Sequence, residues 1–276
     1  MVNDISHAGD SITLDIAGIT LRINSGEADI PSILSPIYKL FTVRGSVCTN
    51  YQLNLIFHQE KTKAAKNDDP YPEVVFLKDK LILNFLTSQL TFELSYNAGA
   101  LLTLNQVPFI ELEYSLRVLY AYFILIYGGV LVHAAGIARN GIGYIFCGPS
   151  GVGKSTVSKL SRNSIILNDD LTAIRPGPDD QWMIFSTPFA NPGQKIKNLT
   201  VPLRGIYLLN QSNEVLLEEL SPGKGLAEFI SNVPVISGDI YYSELLLSTC
   251  SKLLSMIPFY KLHFQNDPSF WNVIDK

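Results

Sequence analysis

The sequence predicts an α/β protein in which a mixed sheet carries a glycine-rich loop, preceded by a β-rich N-terminal region. Three observations predict it. Gly148, Gly153, Lys154 and Ser155 satisfy G-x-x-x-x-G-K-[ST], between an apolar run, "GYIFC", and a helix-like run, "KSTVSKL". Two apolar runs flank Asn140-Gly141, a two-residue hairpin signal, so the strand before the loop should have an antiparallel neighbour. Up to about residue 110, short alternating runs dominate.

Taken in order, "SITLDIAGITLRI" reads as a hairpin with Gly18 near its turn. A short helix is expected over Pro31 to Leu40. "YQLNLIFHQ", "EVVFLKDKLILNF" and "QLTFELSY" follow as strand candidates, and "KTKAAKNDDPYP" as a polar loop between two of them. The pattern lengthens from Glu111 to Tyr127, which predicts a helix linking a β-rich region, 1–110, to a core, 111–276. Val118 to Ile137 is apolar and long enough to raise a membrane span. Gly128-Gly129, the tyrosines and His133 argue instead for a buried helix followed by a buried strand, so no span is expected. Beyond the loop, "NSIILNDDLTAI" gives a short apolar strand ending in Asp169-Asp170. Ser186 to Asn198 reads as a loop able to act as a lid. Ser221 to Val233 and Gly238 to Met256 read as helices on their apolar spacing.

Composition narrows the function. Of 276 residues, 47% are apolar and 17% charged, which is globular rather than disordered. The net charge of −4, with no basic run, argues against nucleic acid as a partner. The three cysteines, Cys48, Cys147 and Cys250, lie far apart, without zinc spacing. They fit a reducing compartment, and the first ten residues lack a secretory pattern, so a cytoplasmic location is expected.

The loop chemistry is that of phosphate binding. Its glycines let successive N–H groups turn inward, and those donors, with the following helix start, face anionic oxygens. Residues Gly148, Pro149, Ser150, Gly151, Val152, Gly153, Lys154, Ser155 and Thr156 would hold the phosphates of a nucleotide, with Lys154 on the β and γ groups and Ser155 on Mg²⁺. If Asn140 and Gly141 are the central turn residues, Arg139 pairs with Ile142, and counting outward sets His133 opposite Gly148. Asp169 and Asp170 would repel one another unless a cation or a shared proton relieves them. One can face the metal, while the other accepts the proton of an attacking hydroxyl.

His133, "GPSGVGKST", "NDD" and "PLRGIYLL" together resemble HPr kinase/phosphorylase and its wider group, over roughly residues 128 to 270. That group shares a nucleotide-binding core with phosphoenolpyruvate carboxykinase. The resemblance implies an α/β P-loop core with a mixed sheet, and "IPFYKLHFQNDPSFWNVI" looks like the group's terminal strand and helix. It implies ATP and Mg²⁺ as cofactors, His133, Lys154 and Asp170 as catalytic residues, and Ser155 with Asp169 at the metal. It implies phosphorylation of a serine hydroxyl on a peptide or protein, lasso-peptide precursors being one acceptor in the group, and it leaves room for a homo-oligomer. Where HPr kinases carry a metal-binding glutamate before Arg-Gly, Pro202 stands here, and the glycine-rich continuation becomes "IYLLNQ". An acceptor other than HPr is therefore expected. Two alternatives remain open: a nucleotide-binding module that phosphorylates nothing, and a kinase of a small-molecule hydroxyl. Arg204 reads either as a phosphate or acceptor contact or as an exposed strand residue.

Overall fold

The computed structural model describes residues 11–26, 29–45, 47–58, 72–77, 79–104, 108–191, 193–234 and 240–275. The chain divides into two compact units, with the division falling between Leu119 and Tyr120. The polar loop expected from Lys61 lies, except for Pro72, outside the described residues.

In the first unit, β1 (Ser11–Ile16) and β2 (Ile19–Ser25) form the expected hairpin. Ala17 and Gly18 turn it, both at positive φ. Next come α1 (Ile30–Ile33), a 3₁₀ turn (Pro36–Phe41) and β3 (Thr42–Val43). The helix expected over Pro31 to Leu40 is thus two short turns, because Pro36 breaks the pattern after Leu34. β4 (Tyr51–His58), β5 (Glu73–Leu77), β6 (Lys80–Asn84), β7 (Ser88–Glu93) and β8 (Ala98–Leu104) complete a mixed sheet ordered β3-β1-β2-β4-β8-β7-β6-β5. "EVVFLKDKLILNF" is a hairpin rather than one strand, with Leu77 paired to Lys80. β8 pairs parallel to β4 and antiparallel to β7. Its Ala-Gly-Ala start has too little strand propensity to stand out in the sequence. The first turns of α2 (Phe109–Ile126) close this unit. The buried Glu111 carboxylate accepts bonds from Thr87 N–H, from Thr87 Oγ1 at 2.8 Å and from Ser88 Oγ.

The second unit is built on two long strands. β9 (Val130–Arg139) and β10 (Ile142–Cys147) form the hairpin that Asn140-Gly141 demands. Its turn residues have φ of 54° and 77°, the left-handed pair of a type I′ turn. After α3 (Lys154–Leu160), β11 (Ile165–Asn168) and β12 (Leu171–Pro176) run one after the other, antiparallel along β9. β13 (Trp182–Phe185) leads to the second long strand, β14 (Thr200–Gln211). β14 pairs antiparallel to β13 at its start and parallel to β10 further on, so β9, β12, β13, β14 and β10 close on themselves. β15 (Leu216–Glu219), α4 (Pro222–Ile230), α5 (Ile240–Met256), β16 (Phe259–Phe264) and α6 (Trp271–Ile274) follow, with β16 parallel to β14.

Side chains alternate between two cores. Ile145, Cys147, Ile206 and Leu208 pack with Phe229 and with Leu253 of α5. Tyr144, Phe146, Tyr207 and Leu209 pack with Val157 of α3 and Trp271 of α6. A strand buried on both faces reads as an unbroken apolar run, as "GYIFC" and "GIYLL" do. The apolar stretch Val118 to Ile137 is the end of α2, the Gly128-Gly129 break and the start of β9. Among the described residues no helix is long and apolar enough to cross a membrane.

Candidate functional site

Cys147 ends β10 opposite Ala134, so the count continues to Gly148 opposite His133. There the ladder stops and the chain turns into the glycine-rich loop. Gly148, Gly151 and Gly153 all have positive φ. A side chain at Gly153 would be penalised on two grounds: φ there is 120°, and a Cβ would stand 2.7 Å from the Phe264 ring. Lys154 opens α3 and is buried. Its ammonium donates to Gly148 O at 2.6 Å and to Pro149 O at 3.1 Å. Desolvation pulls its pKa below the usual lysine value, while the nearby Cys147 and Asp170 act in the opposite direction. Burial pushes the Cys147 thiol up to about 12, so it stays protonated and is no nucleophile.

The aspartate pair sits differently from a strand end in an open parallel sheet. The register shifts between Ile166 and Asn168, and β12 then continues in the direction of β11. Ala134 N–H donates to Asp170 O at 2.9 Å, so the ladder runs through the pair. Buried Asn168 holds the bend. Its Oδ1 accepts from Asp170 N–H at 2.6 Å and Leu171 N–H at 3.0 Å, and its Nδ2 donates to Thr187 O and Oγ1. Asp169 is buried and accepts from Asn191 N–H at 3.4 Å.

His133 Nδ1 lies 2.9 Å from both the main-chain oxygen and Oδ1 of Asp170. A carbonyl oxygen can only accept, so Nδ1 carries the proton and Nε2 is the basic nitrogen of the neutral ring.

A cavity of about 360 Å³ brings these groups together. His133, Lys154, Ser155, Asp169 and Asp170 line it, with Ser150, Gly151, Gly153 and Thr156 of the loop and Asn191. None of the ten carries an apolar side chain, and the volume lies in the range of small-molecule sites. Of the residues singled out in the sequence, Gly148, Pro149 and Val152 do not line it. Two larger cavities, of about 710 and 630 Å³, share no residue with it and are mostly apolar. Arg204 lines the larger one, away from the loop. Chemistry rather than volume therefore selects the smaller cavity.

Among the described residues no three His, Cys, Asp or Glu groups converge as a self-sufficient metal site. The donors present, a serine hydroxyl and carboxylates, suit a hard cation such as Mg²⁺ that takes its remaining ligands from phosphates and water. The Ser186–Asn198 segment is anchored at its base: Ser186 Oγ donates to Lys197 O at 2.6 Å, and Thr187 and Phe189 are buried. Among its described residues, Asn191 is the one that lines the cavity. No motif in the sequence gives Asn168, Asn191 or Asn232 a role. Only Asn168 carried a local signal, an amide at the end of an apolar strand where side-chain-to-backbone turns form.

This geometry defines a class: an α/β protein in which a glycine-rich loop and a buried lysine face a His–Asp pair and a second carboxylate across a polar cavity. The chain belongs to the family described as SynChlorMet cassette protein ScmC, whose match spans residues 103–276, more than half of its length and all ten cavity residues. Among curated proteins no match is found.

Proposed function

We propose that this chain is a kinase on a core like that of HPr kinase/phosphorylase, transferring the γ-phosphate of ATP to a hydroxyl, most directly a serine of a peptide or protein. The observation that carries this reading is the convergence of His133, Lys154, Asp169 and Asp170 on one polar cavity beside the glycine-rich loop. The loop N–H groups and the Lys154 ammonium bind the triphosphate. Ser155 and Asp169 would hold Mg²⁺, which would supply positive charge against the β and γ groups. The acceptor oxygen bonds to the γ-phosphorus as the bond to the bridging oxygen of ADP breaks. Asp170 takes the hydroxyl proton, and the Nδ1–H of His133 keeps that carboxylate turned into the cavity. Such a reaction needs positioning and electrostatics more than covalent help from the protein. The reading takes the chain to be cytoplasmic, where ATP is at hand; its three cysteines are free thiols.

The test is ATP labelled at the γ-phosphate, incubated with serine-containing peptides, including any encoded beside this gene. Label on a peptide serine is the expected result. Asp170→Asn should keep Mg·ATP affinity and lose about 10²–10⁴-fold in turnover, the usual worth of general-base help. Wild-type turnover in that variant removes Asp170 from the mechanism. Tight nucleotide binding with no labelled product in any acceptor mixture would instead mark a nucleotide-binding module.

A further inference from the structure

We infer that Asn232, just beyond α4, is a positioning residue that sets the glycine-rich loop against His133, an inference that rests on the nucleotide-binding reading above. His133 and Gly148 are where the next pair of the β9–β10 ladder would stand. Both direct their N–H groups to one residue. His133 N–H donates to the main-chain oxygen of Asn232 at 2.7 Å. Gly148 N–H donates to the Asn232 Oδ1 at 2.8 Å, a buried bond. Asn232 thus occupies the mouth of the hairpin, where the strand gives way to the loop.

The other half of the same amide grips its own helix. Asn232 Nδ2 donates to Glu228 O at 2.8 Å and lies 3.3 Å from Ser231 Oγ, and Asn232 N–H donates to Phe229 O. Only a planar group with an acceptor at one end and a donor at the other fits both sides. Aspartate would keep the acceptor for Gly148 but would turn a charge toward the carbonyls at the end of α4. Alanine would leave the buried Gly148 N–H without its partner. That N–H is the first of the loop, so its direction governs how the following donors present themselves to phosphate.

The two roles, positioning and mere stability, separate in nucleotide affinity. Mg·ATP binding by calorimetry and the thermal shift it produces are measured for wild type, Asn232→Ala, Asn232→Asp and Ser231→Ala. Asn232→Ala should bind Mg·ATP about tenfold more weakly, or about 1.4 kcal/mol, and show a smaller thermal shift at fixed nucleotide. Asn232→Asp, which preserves shape if alanine fails to fold, should also weaken binding. Ser231→Ala keeps both ties to the hairpin and should bind within twofold of wild type. A folded Asn232 variant with a lower melting temperature but wild-type affinity and turnover overturns the positioning role alone. No binding by the wild-type chain overturns the nucleotide reading and this inference together.

Discussion

Lys154 is costly to the fold by itself, a cost that the proposed triphosphate would offset. Its ammonium is buried against two loop carbonyls, and desolvation holds its pKa below the ordinary lysine value of 10.5. The sign of the consequence follows. Below the folded-state pKa the lysine is charged in both folded and unfolded chains, and the folded state bears the desolvation penalty in full. Between the lowered folded-state pKa and the unfolded value, the unfolded chain binds more protons, so stability rises with pH. In the absence of nucleotide, wild type should therefore gain stability relative to Lys154→Met as pH rises from 7 toward 10. Urea midpoints of the two proteins, measured across that range, check it. A difference that stays flat, or moves toward the variant, would show that the ammonium is already well compensated by Gly148 O and Pro149 O.

At the scale of elements, the hairpin of β9 and β10 places the site. It brings His133 to the entrance of the loop, and a register slip of one residue would turn His133 to the opposite face of the sheet. The turn is the part most exposed to a local test. Gly141 sits at φ 77°, and a Cβ there would meet nothing within 4 Å, so backbone strain alone would act. Gly141→Ala should cost about 1–2 kcal/mol of stability, the penalty of a left-handed L-residue, read as a lower denaturant midpoint with an unchanged slope. A changed slope would mean that the surface exposed on unfolding, or the number of unfolding steps, had changed. Asn140-Gly141 is a local instruction, and with it the loop, the helix after it and the aspartates are legible within forty residues. β8 is hard to see in the sequence because Ala98-Gly99-Ala100 offers neither bulk nor alternation, although the strand is paired on both edges in mid-sheet. Asn232 is hard to see for a different reason: its bond to Gly148 spans 84 residues, and apolar spacing carries the expected helix to Val233 whereas α4 ends at Ile230. Long-range hydrogen bonds leave no periodic trace.

The whole molecule contains a spectroscopic division that its chemistry can exploit. Both tryptophans, Trp182 on β13 and Trp271 at the start of α6, lie in the second unit and are buried. Trp182 Nε1 faces Met256 Sδ at 3.4 Å, and Trp271 Nε1 donates to Ser161 Oγ at 3.2 Å, one residue beyond the helix that Lys154 opens. Tryptophan emission therefore reports the unit that carries the candidate site. A chain of two compact units need not unfold in one step, so unfolding is best followed by a probe confined to the second unit. A ligand that binds only the folded second unit stabilises that unit by mass action, by about 2.7 kcal/mol at a hundredfold excess over Kd. Mg·ATP should therefore raise the urea midpoint seen by tryptophan emission. Hydrogen exchange should slow most in peptides of β9, β10 and α3, and least in β1 to β7. ADP without Mg²⁺ should do less, because it lacks both the γ-phosphate and the cation that Ser155 and Asp169 would hold. A tryptophan midpoint indifferent to Mg·ATP would leave the polar cavity without its proposed occupant, however well its residues are arranged.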